Sequence, residues 1–141
     1  MGAMCMAVSI DRLFAFAHPA HPLNWRLFAT LTDATFAIAM TAANAGFDVV
    51  VDTVFERRDC FDSARRALAS TRHFYVAVTC SVNELEEREK ARGNRPLGLA
   101  QRQHAAVFYD VPYALELDTG GTTVEACVDQ IVGLFSPSTE S

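Results

Sequence analysis

The chain has 141 residues, of which 50% are hydrophobic, and this is enough for one globular domain with a buried core. Its 12 basic and 17 acidic residues give a formal net charge of −5, which disfavours a surface for nucleic acid or an anchor for an anionic membrane. We therefore predict neither a nucleic-acid partner nor a membrane partner.

The cysteines give no sign of a zinc site, because they lack C-x-x-C spacing and have no histidines at zinc-finger distances. They are Cys5, Cys60, Cys80 and Cys127. Free, mostly buried thiols in a reducing compartment are their simplest explanation. The apolar residues 1–8 lack a basic amino-terminal region and run directly into a charged pair, so they predict neither a signal peptide nor a spanning helix. These features predict a cytoplasmic protein.

The first predicted element is a short apolar run, residues 4–10, which Asp11 ends. The run is typical of a buried parallel strand with an acidic residue at its carboxyl end, and it could equally begin a helix. Two prolines within residues 14–24 then predict a loop. We do not expect its histidines, His18 and His21, to bind a metal, because no acidic or thiol side chain lies beside them in sequence.

Residues 25–45 carry apolar side chains at helical spacing, which predicts a long, largely buried helix that Gly46 ends. The predicted apolar positions are Leu27, Leu31, Ala34, Ile38 and Ala42, with Phe28 and Thr35 beside them. Residues 48–52 are a β-branched run closed by Asp52, which predicts a fully buried parallel strand. The order of helix, glycine and strand is typical of an α/β domain.

The second half of the chain continues this alternation. Residues 59–70 predict a helix, and the aromatic and β-branched residues 73–79 predict a strand. Residues 97–108 predict another helix, and residues 113–118 alternate apolar and acidic side chains as an edge strand does. The last predicted helix carries an apolar stripe formed by Val124, Cys127, Val128, Ile131 and Leu134.

Charges are densest in residues 83–103. The first part has helix-forming composition, Gly93 begins a break in the helix, and a second helix follows. Three guanidiniums, those of Arg88, Arg92 and Arg95, are therefore expected near one corner. Arginine suits bidentate contact with phosphate, although the same pattern is also typical of a solvated, salt-bridged pair of helices.

Two acidic residues, Asp11 and Asp52, follow predicted parallel strands, and ligands of open α/β sheets bind at the carboxyl ends of strands. One carboxylate could take a proton from a hydroxyl and the other could help to hold Mg²⁺, as phosphoryl transfer requires. Two structural alternatives remain open, in which Asp11 is a helix N-cap and Asp52 only ends a strand.

Six stretches in this order make the chain similar to the chloramphenicol phosphotransferase family of small P-loop kinases. They are residues 9–11, 45–55, 76–80, 87–95, 98–100 with Gln103, and 113–119. The most specific stretch is Arg-Glu-x-x-Arg-Gly-Asn-Arg at residues 88–95, in which Asn94 stands where the family usually has aspartate. The implied fold is a three-layer α/β fold, with a parallel sheet between helices on both faces.

The resemblance also implies an enzyme that moves the γ-phosphate of ATP, with Mg²⁺ as cofactor, to a hydroxyl of a small molecule. It implies that Asp11 is the catalytic base and that Asp52 assists the magnesium ion indirectly. It further implies a lid over the nucleotide, formed by Arg88, Arg92, Arg95 and Gln103. We expect the acceptor to bind near residues 14–26, because they follow the implied base.

The chain departs from the family at its start, because it contains no Gly-x-x-x-x-Gly-Lys-Ser/Thr loop and its only lysine, Lys90, lies within the lid stretch. We expect that the first strand and this P-loop, roughly 30 residues, are missing upstream of Met1 and that the chain as given has little or no kinase activity. The alternatives are a non-catalytic binding or regulatory remnant of the kinase fold and an acidic α/β domain with an unrelated role. We predict one incomplete kinase-like domain over residues 1–135 and a disordered tail at 136–141.

Overall fold

A computed structural model of the chain describes residues 4–15, 24–93, 98–106 and 110–135. Two compact units divide the chain, residues 1–72 and residues 73–141. The single domain expected over residues 1–135 stays a prediction. Several predicted features lie outside the described residues, namely His18, His21, Asn94, Arg95 and the tail at 136–141.

Within its described residues, the first unit contains two strands and three helices. In chain order they are β1 (Cys5–Ser9), α1 (Ile10–Phe14), α2 (Trp25–Asn44), β2 (Asp48–Asp52) and α3 (Arg58–Leu68). The strands pair in parallel, with Cys5 opposite Asp48 and Ser9 opposite Asp52. The parallel strands confirm part of the predicted α/β class, and β1 ends one residue earlier than predicted because Ile10 begins α1.

Helix α2 is a long helix, as its apolar spacing predicts, and the side chain of Asn24 caps it by accepting a hydrogen bond from the Leu27 amide at 2.9 Å. The predicted inward face is wrong at Ile38, which is 38% exposed, whereas Phe36 is only 3% exposed. The buried positions are Thr32, Thr35, Phe36, Ala39 and Ala42. The two threonines can be buried because their hydroxyls donate to backbone carbonyls one turn earlier, at 2.9 and 2.7 Å.

The core of the first unit forms where α2 packs against α3 and against the two strands. Phe55 connects these elements, with its ring centroid 6.4 Å from that of Phe36 and 5.5 Å from that of Phe61. Ala64 on α3 is fully buried. Aromatic contacts therefore join α2, the segment after β2 and α3 in this core.

Strand β2 is not fully buried, contrary to the prediction from its β-branched run. Exposure alternates along the strand, and Val50 at its centre is 50% exposed. The physical reason is that β2 pairs with a single strand among the described residues, β1, and that α2 lies against these strands. Alternate side chains therefore remain in contact with solvent.

The second unit also pairs two parallel strands. Its elements are β3 (Tyr75–Thr79), α4 (Val82–Arg92), α5 (Leu99–Ala106), β4 (Tyr113–Asp118) and α6 (Val124–Phe135). The pairing places Thr79 opposite Asp118, and a register irregularity lies at Tyr75 and Val76. The sequence predicted all five elements at these places.

Helix α4 begins and ends on local signals. The Ser81 hydroxyl accepts a hydrogen bond from the Glu84 amide at 3.3 Å, and the helix ends at Gly93, whose φ of 61° lies in the left-handed region that glycine adopts without strain. Glu84 and Arg88 are four residues apart on this helix and form an ion pair, with Oε1 and Nη2 3.7 Å apart. The break predicted at Gly93 is thus confirmed.

The predicted apolar stripe of α6 is only partly buried. Cys127 is buried, but Val124 is 74% exposed and Val128 is also exposed. At the far end of the helix, the Phe135 ring lies 5.5 Å from that of Phe74 in an edge-to-face arrangement, although Phe135 is itself 44% exposed. Apolar periodicity identified the helix correctly but not the side chains that it buries.

Other sequence expectations concern the thiols and the membrane. All four cysteines are free, and Cys60, Cys80 and Cys127 are buried, as predicted. Burial raises the pKa of the Cys60 thiol above its ordinary value. Over the ranges that the structure describes, every helix is too short or too polar to cross a membrane.

Candidate functional site

The predicted acidic pair lies at the carboxyl end of the sheet in the first unit. The β1–β2 register places Ser9 beside Asp52, and the Ser9 hydroxyl donates to Asp52 Oδ2 at 3.4 Å. Asp11 lies two residues beyond Ser9, in the first turn of α1, and both carboxyl residues are exposed. The alternative in which Asp11 is an N-cap is wrong, because Ser9 occupies that position.

Thr53, the residue after Asp52, was missed as a candidate. Its Oγ1 is buried and has no hydrogen-bond partner among the described residues. Buried hydroxyls are usually satisfied by protein, water or a ligand, so this atom marks a place where a further polar group would be stabilised. Threonine after a strand carries no distinctive sequence signal, which is why only the structure identifies it.

The oxygen atoms at this end of the sheet suit magnesium better than a softer metal. Asp11, Asp52 and the Ser9 hydroxyl supply hard oxygen donors, and Mg²⁺ is commonly held by one or two carboxylates together with water and substrate phosphates. No group of three or more histidine, cysteine or acidic side chains forms a ready metal site in the described part of the chain. The donor set therefore fits an ion that shares its coordination with a phosphate ligand.

A second polar cluster lies at the amino end of α3 and was also missed. Arg57 binds the Asp59 carboxylate through two nitrogens, with its Nη2 2.8 Å from Oδ2. The exposed Trp25 ring lies 5.6 Å from the Arg57 guanidinium and 5.8 Å from that of Arg26, within cation–π range. An open cavity of ≈ 520 Å³ here is lined by Arg57, Arg58, Asp59 and Asp62. The only sequence signal was the run of charges that follows β2.

The hydrogen bond from Arg57 lowers the pKa of Asp59 below its ordinary value of 3.8. A carboxyl group whose pKa is lowered by folding contributes stability above its unfolded pKa, and this contribution is lost as the pH falls through the lowered value. We expect Arg57→Gln to return the pKa of Asp59 towards 3.8, as measured by an NMR titration of the carboxyl carbons. Arg65→Gln, on the same helix, is the matched control, and an unchanged Asp59 titration in Arg57→Gln would contradict the pairing.

In the second unit, Arg88 holds the turn that follows β4. Its Nη1 donates to Thr119 Oγ1 at 3.1 Å, and its Nη2 donates to the Thr119 carbonyl at 3.1 Å. Thr119 in turn donates to the Thr79 carbonyl through both its amide, at 2.8 Å, and its hydroxyl, at 3.1 Å. Arg88 is therefore engaged in joining α4 to the carboxyl ends of β3 and β4, a role that the sequence did not suggest.

Gly120 completes this turn. Its amide donates to Asp118 Oδ1 at 2.9 Å. The carboxylate of Glu84 lies against its α-carbon and occupies the space that a side chain would need. Glu84, Arg88 and Gly120 thus form one packed polar contact between α4 and the turn.

Arg92 differs from Arg88 in its surroundings. It is the last residue of α4, it is exposed, and its side chain makes no ion pair or hydrogen bond within the part of the chain that the structure describes. Of the other predicted lid residues, Arg95 lies outside the described residues, and for Gln103 only the position in α5 is described. Among the described residues that were predicted to form the lid, Arg92 is therefore a cation that is available to bind an anion.

Comparison with known proteins adds three findings. A family model described as chloramphenicol phosphotransferase-like protein matches residues 5–135. The Mycobacterium tuberculosis APS kinase, solved in complex with AMPPNP and APS, is similar with a TM-score of 0.74 and 15% identity, covering 94% of this chain and 80% of that chain. The Deinococcus radiodurans tunicamycin resistance protein is similar with a TM-score of 0.64 and 10% identity, covering 93% of this chain and 82% of that chain.

No curated protein matches the chain. At these low identities the two structures bear on fold alone, and they confirm the predicted α/β, P-loop kinase-like fold with parallel strands.

Proposed function

Because the chain belongs to the chloramphenicol phosphotransferase-like protein family, we propose that it moves the γ-phosphate of ATP to a hydroxyl of a small molecule. The observation that carries this proposal is the parallel pairing of β1 with β2, which brings Asp11 and Asp52 to one end of the sheet. The APS kinase of similar fold was solved with AMPPNP, which supports a nucleoside triphosphate as the donor. We propose ATP and Mg²⁺ as the cofactors.

In this proposal, the Asp11 carboxylate accepts the proton of the acceptor hydroxyl as the hydroxyl oxygen attacks the γ-phosphorus of ATP, and the bond from that phosphorus to the departing ADP breaks. Its exposed position in the first turn of α1 leaves it accessible to a substrate. Asp52 would help to hold Mg²⁺, with the Ser9 hydroxyl fixing one of its oxygens. The ion supplies positive charge that offsets the charge of the phosphates.

The cations of the second unit would act on the phosphates. Arg92 is exposed and unpaired in the described residues, so it is free to bind a phosphoryl oxygen, and Arg95 and Gln103 would complete the lid. We propose a different role for Arg88, because its guanidinium already donates hydrogen bonds to Thr119. We propose that Arg88 orients the start of the lid and does not itself bind phosphate.

The amide cradle for the phosphates has to be supplied in any test, since the sequence contains no Gly-x-x-x-x-Gly-Lys-Ser/Thr loop. The experiment compares the 141-residue chain with the same chain fused at its amino end to a strand, P-loop and helix of a family member. Transfer of labelled γ-phosphate to a panel of hydroxyl compounds is measured for both. We expect transfer from the fused chain and little or none from the chain alone.

The same experiment tests the non-catalytic alternative, which the missing loop motivates. A chain that folds stably alone, whose melting temperature does not respond to ATP, and whose fused form transfers no phosphate would support a binding or regulatory role. Phosphate transfer by the fused chain would instead show that the chain is not solely a binding or regulatory protein. An unrelated α/β function predicts, in addition, that changing Arg92 has no effect.

Arg92→Ala is expected to lower kcat of the fused chain by roughly tenfold to hundredfold, because a hydrogen bond to a charged group contributes about 1.5–3 kcal/mol. Initial rates at saturating ATP measure the change. Arg66→Ala, on the exposed face of α3, removes an equal charge and is the matched control. Equal rates for the two variants would show that Arg92 belongs to a solvated surface.

We propose a cytoplasmic location and a small-molecule acceptor, with neither nucleic acid nor membrane as a partner. The support is the net charge of −5, and the free thiols of all four cysteines. Free thiols are typical of reducing compartments.

A further inference from the structure

Glu89 is the one residue of α4 that is buried, with 7% of its surface exposed, although the helix around it is rich in exposed charges. Burying a carboxylate is unfavourable unless hydrogen bonds replace the lost water. The hydrogen bonds of Glu89 therefore show how the cost of burying its carboxylate is offset.

Those contacts join two helices. The Glu89 side-chain Oε2 accepts a hydrogen bond from the Gly98 amide at 2.7 Å, and its backbone carbonyl accepts one from the Gly93 amide at 3.3 Å. Gly93 ends α4, and the Gly98 carbonyl accepts from the Arg102 amide at 3.2 Å, within the first turn of α5. One residue thus binds both the end of α4 and the start of α5.

Both glycines have a positive φ, 61° at Gly93 and 86° at Gly98, which other residues adopt only with strain. The amides of Gly93 and Gly98 can therefore donate to Glu89 without conformational strain in the backbone. A carboxylate is suited to this position because a hydrogen bond to a charged acceptor is shorter and stronger than one to a neutral acceptor.

We propose that Glu89 is a positioning residue, which fixes the junction between α4 and α5 and thereby holds Arg92 in place to bind a phosphate group. Arg92 directly precedes Gly93, and its guanidinium has no partner in the described residues that could orient it from the side. The backbone at the end of α4 therefore sets where this side chain begins, and the contact of Glu89 with Gly98 ties that backbone to the start of α5. The role of Arg92 in this inference rests on the proposed phosphotransferase function, whereas the contact with Gly98 does not.

The first measurement is hydrogen exchange of the Gly98 amide by NMR, in the full 141-residue chain. Glu89→Ala is expected to speed this exchange by roughly tenfold to hundredfold, from the strength of a hydrogen bond to a charged group. Glu89→Gln keeps an oxygen acceptor at the same reach and is expected to retain most of the protection. Glu87→Ala, an exposed position on the same helix, should leave the amide unchanged. Unchanged exchange in Glu89→Ala would overturn the proposal.

The second measurement is binding of inorganic tripolyphosphate, followed through the Arg92 Nε–H resonance. Glu89→Ala and Glu87→Ala each remove one negative charge from the helix that carries Arg92, so a simple charge effect would strengthen anion binding in both. If Glu89 positions Arg92, Glu89→Ala alone is expected to bind tripolyphosphate roughly tenfold more weakly than the unmutated chain. Glu89→Gln is expected to restore the affinity.

The outcomes separate the inference from the function on which it rests. If the unmutated chain binds tripolyphosphate and Glu89→Ala binds it equally well or better, the positioning role is wrong and Glu89 only connects two helices. If the unmutated chain does not bind tripolyphosphate at Arg92, the proposed phosphate-binding role of Arg92 fails, and the positioning role fails with it. Weaker binding in Glu89→Ala, together with faster Gly98 exchange and rescue by Glu89→Gln, supports the proposal.

Discussion

Asp11→Asn is expected to lower kcat of phosphate transfer by about 10²–10⁴-fold, which is the usual contribution of a general base. Asparagine has the size of aspartate and can still hydrogen bond, but it cannot take the proton of the acceptor hydroxyl at neutral pH. KM for the acceptor is expected to change little, since the lost interaction belongs mainly to the transition state. Initial rates of the chain carrying a fused P-loop unit, over a range of acceptor concentrations, measure both constants.

The matched control is Asp48→Asn. Asp48 is exposed at the amino end of β2, whereas Asp52 is at the carboxyl end of the same strand. The two changes at Asp11 and Asp48 therefore remove the same charge from opposite ends of one sheet. A rate for Asp11→Asn equal to that for Asp48→Asn would show that Asp11 is not the base, even if the fused chain is an active phosphotransferase.

Phe36→Ala is expected to lower the free energy of unfolding of the first unit by about 3–5 kcal/mol, the usual cost of removing a buried aromatic ring. Phe36 is buried, and its ring is stacked on that of Phe55, so the change leaves a cavity at the centre of this unit. Trp25 is the only tryptophan and lies at the start of α2. Urea unfolding followed by its fluorescence therefore reports on the first unit.

Ile38→Ala is the control for this second prediction, because it lies on the same helix and is part exposed. It is expected to cost about 1 kcal/mol or less. A larger loss for Ile38→Ala than for Phe36→Ala would mean that α2 buries the face that its apolar spacing alone predicts.

The elements themselves were predictable because their signals are local. The predicted helix 25–45 corresponds to Trp25–Asn44, and the predicted strand 48–52 is Asp48–Asp52. Helix caps, glycines and β-branched runs act over a few residues, so each can be recognised without knowledge of the fold. The acidic pair at one end of a parallel sheet follows from the same reasoning, since both strands run in the same direction.

The buried faces were less predictable, because they depend on neighbours that the local pattern does not specify. Thr32 and Thr35 are buried in place of apolar residues, and their hydroxyls bond within their own helix. Burial of Glu89 depends on an amide nine residues away, and the contacts of Arg88 on a turn 31 residues away. Such pairings become visible only when the chain is folded, so the sequence showed the arginines of α4 but not their different contacts.

The close contact between Glu84 and Gly120 has a consequence for how the chain can evolve. Any side chain at position 120 would enter the space of the Glu84 carboxylate, and moving that carboxylate would release Arg88 from one of its partners. Alanine at position 120 is therefore tolerated best together with a shorter residue at position 84. Positions 84 and 120 are expected to covary among relatives, although they are 36 positions apart in the chain.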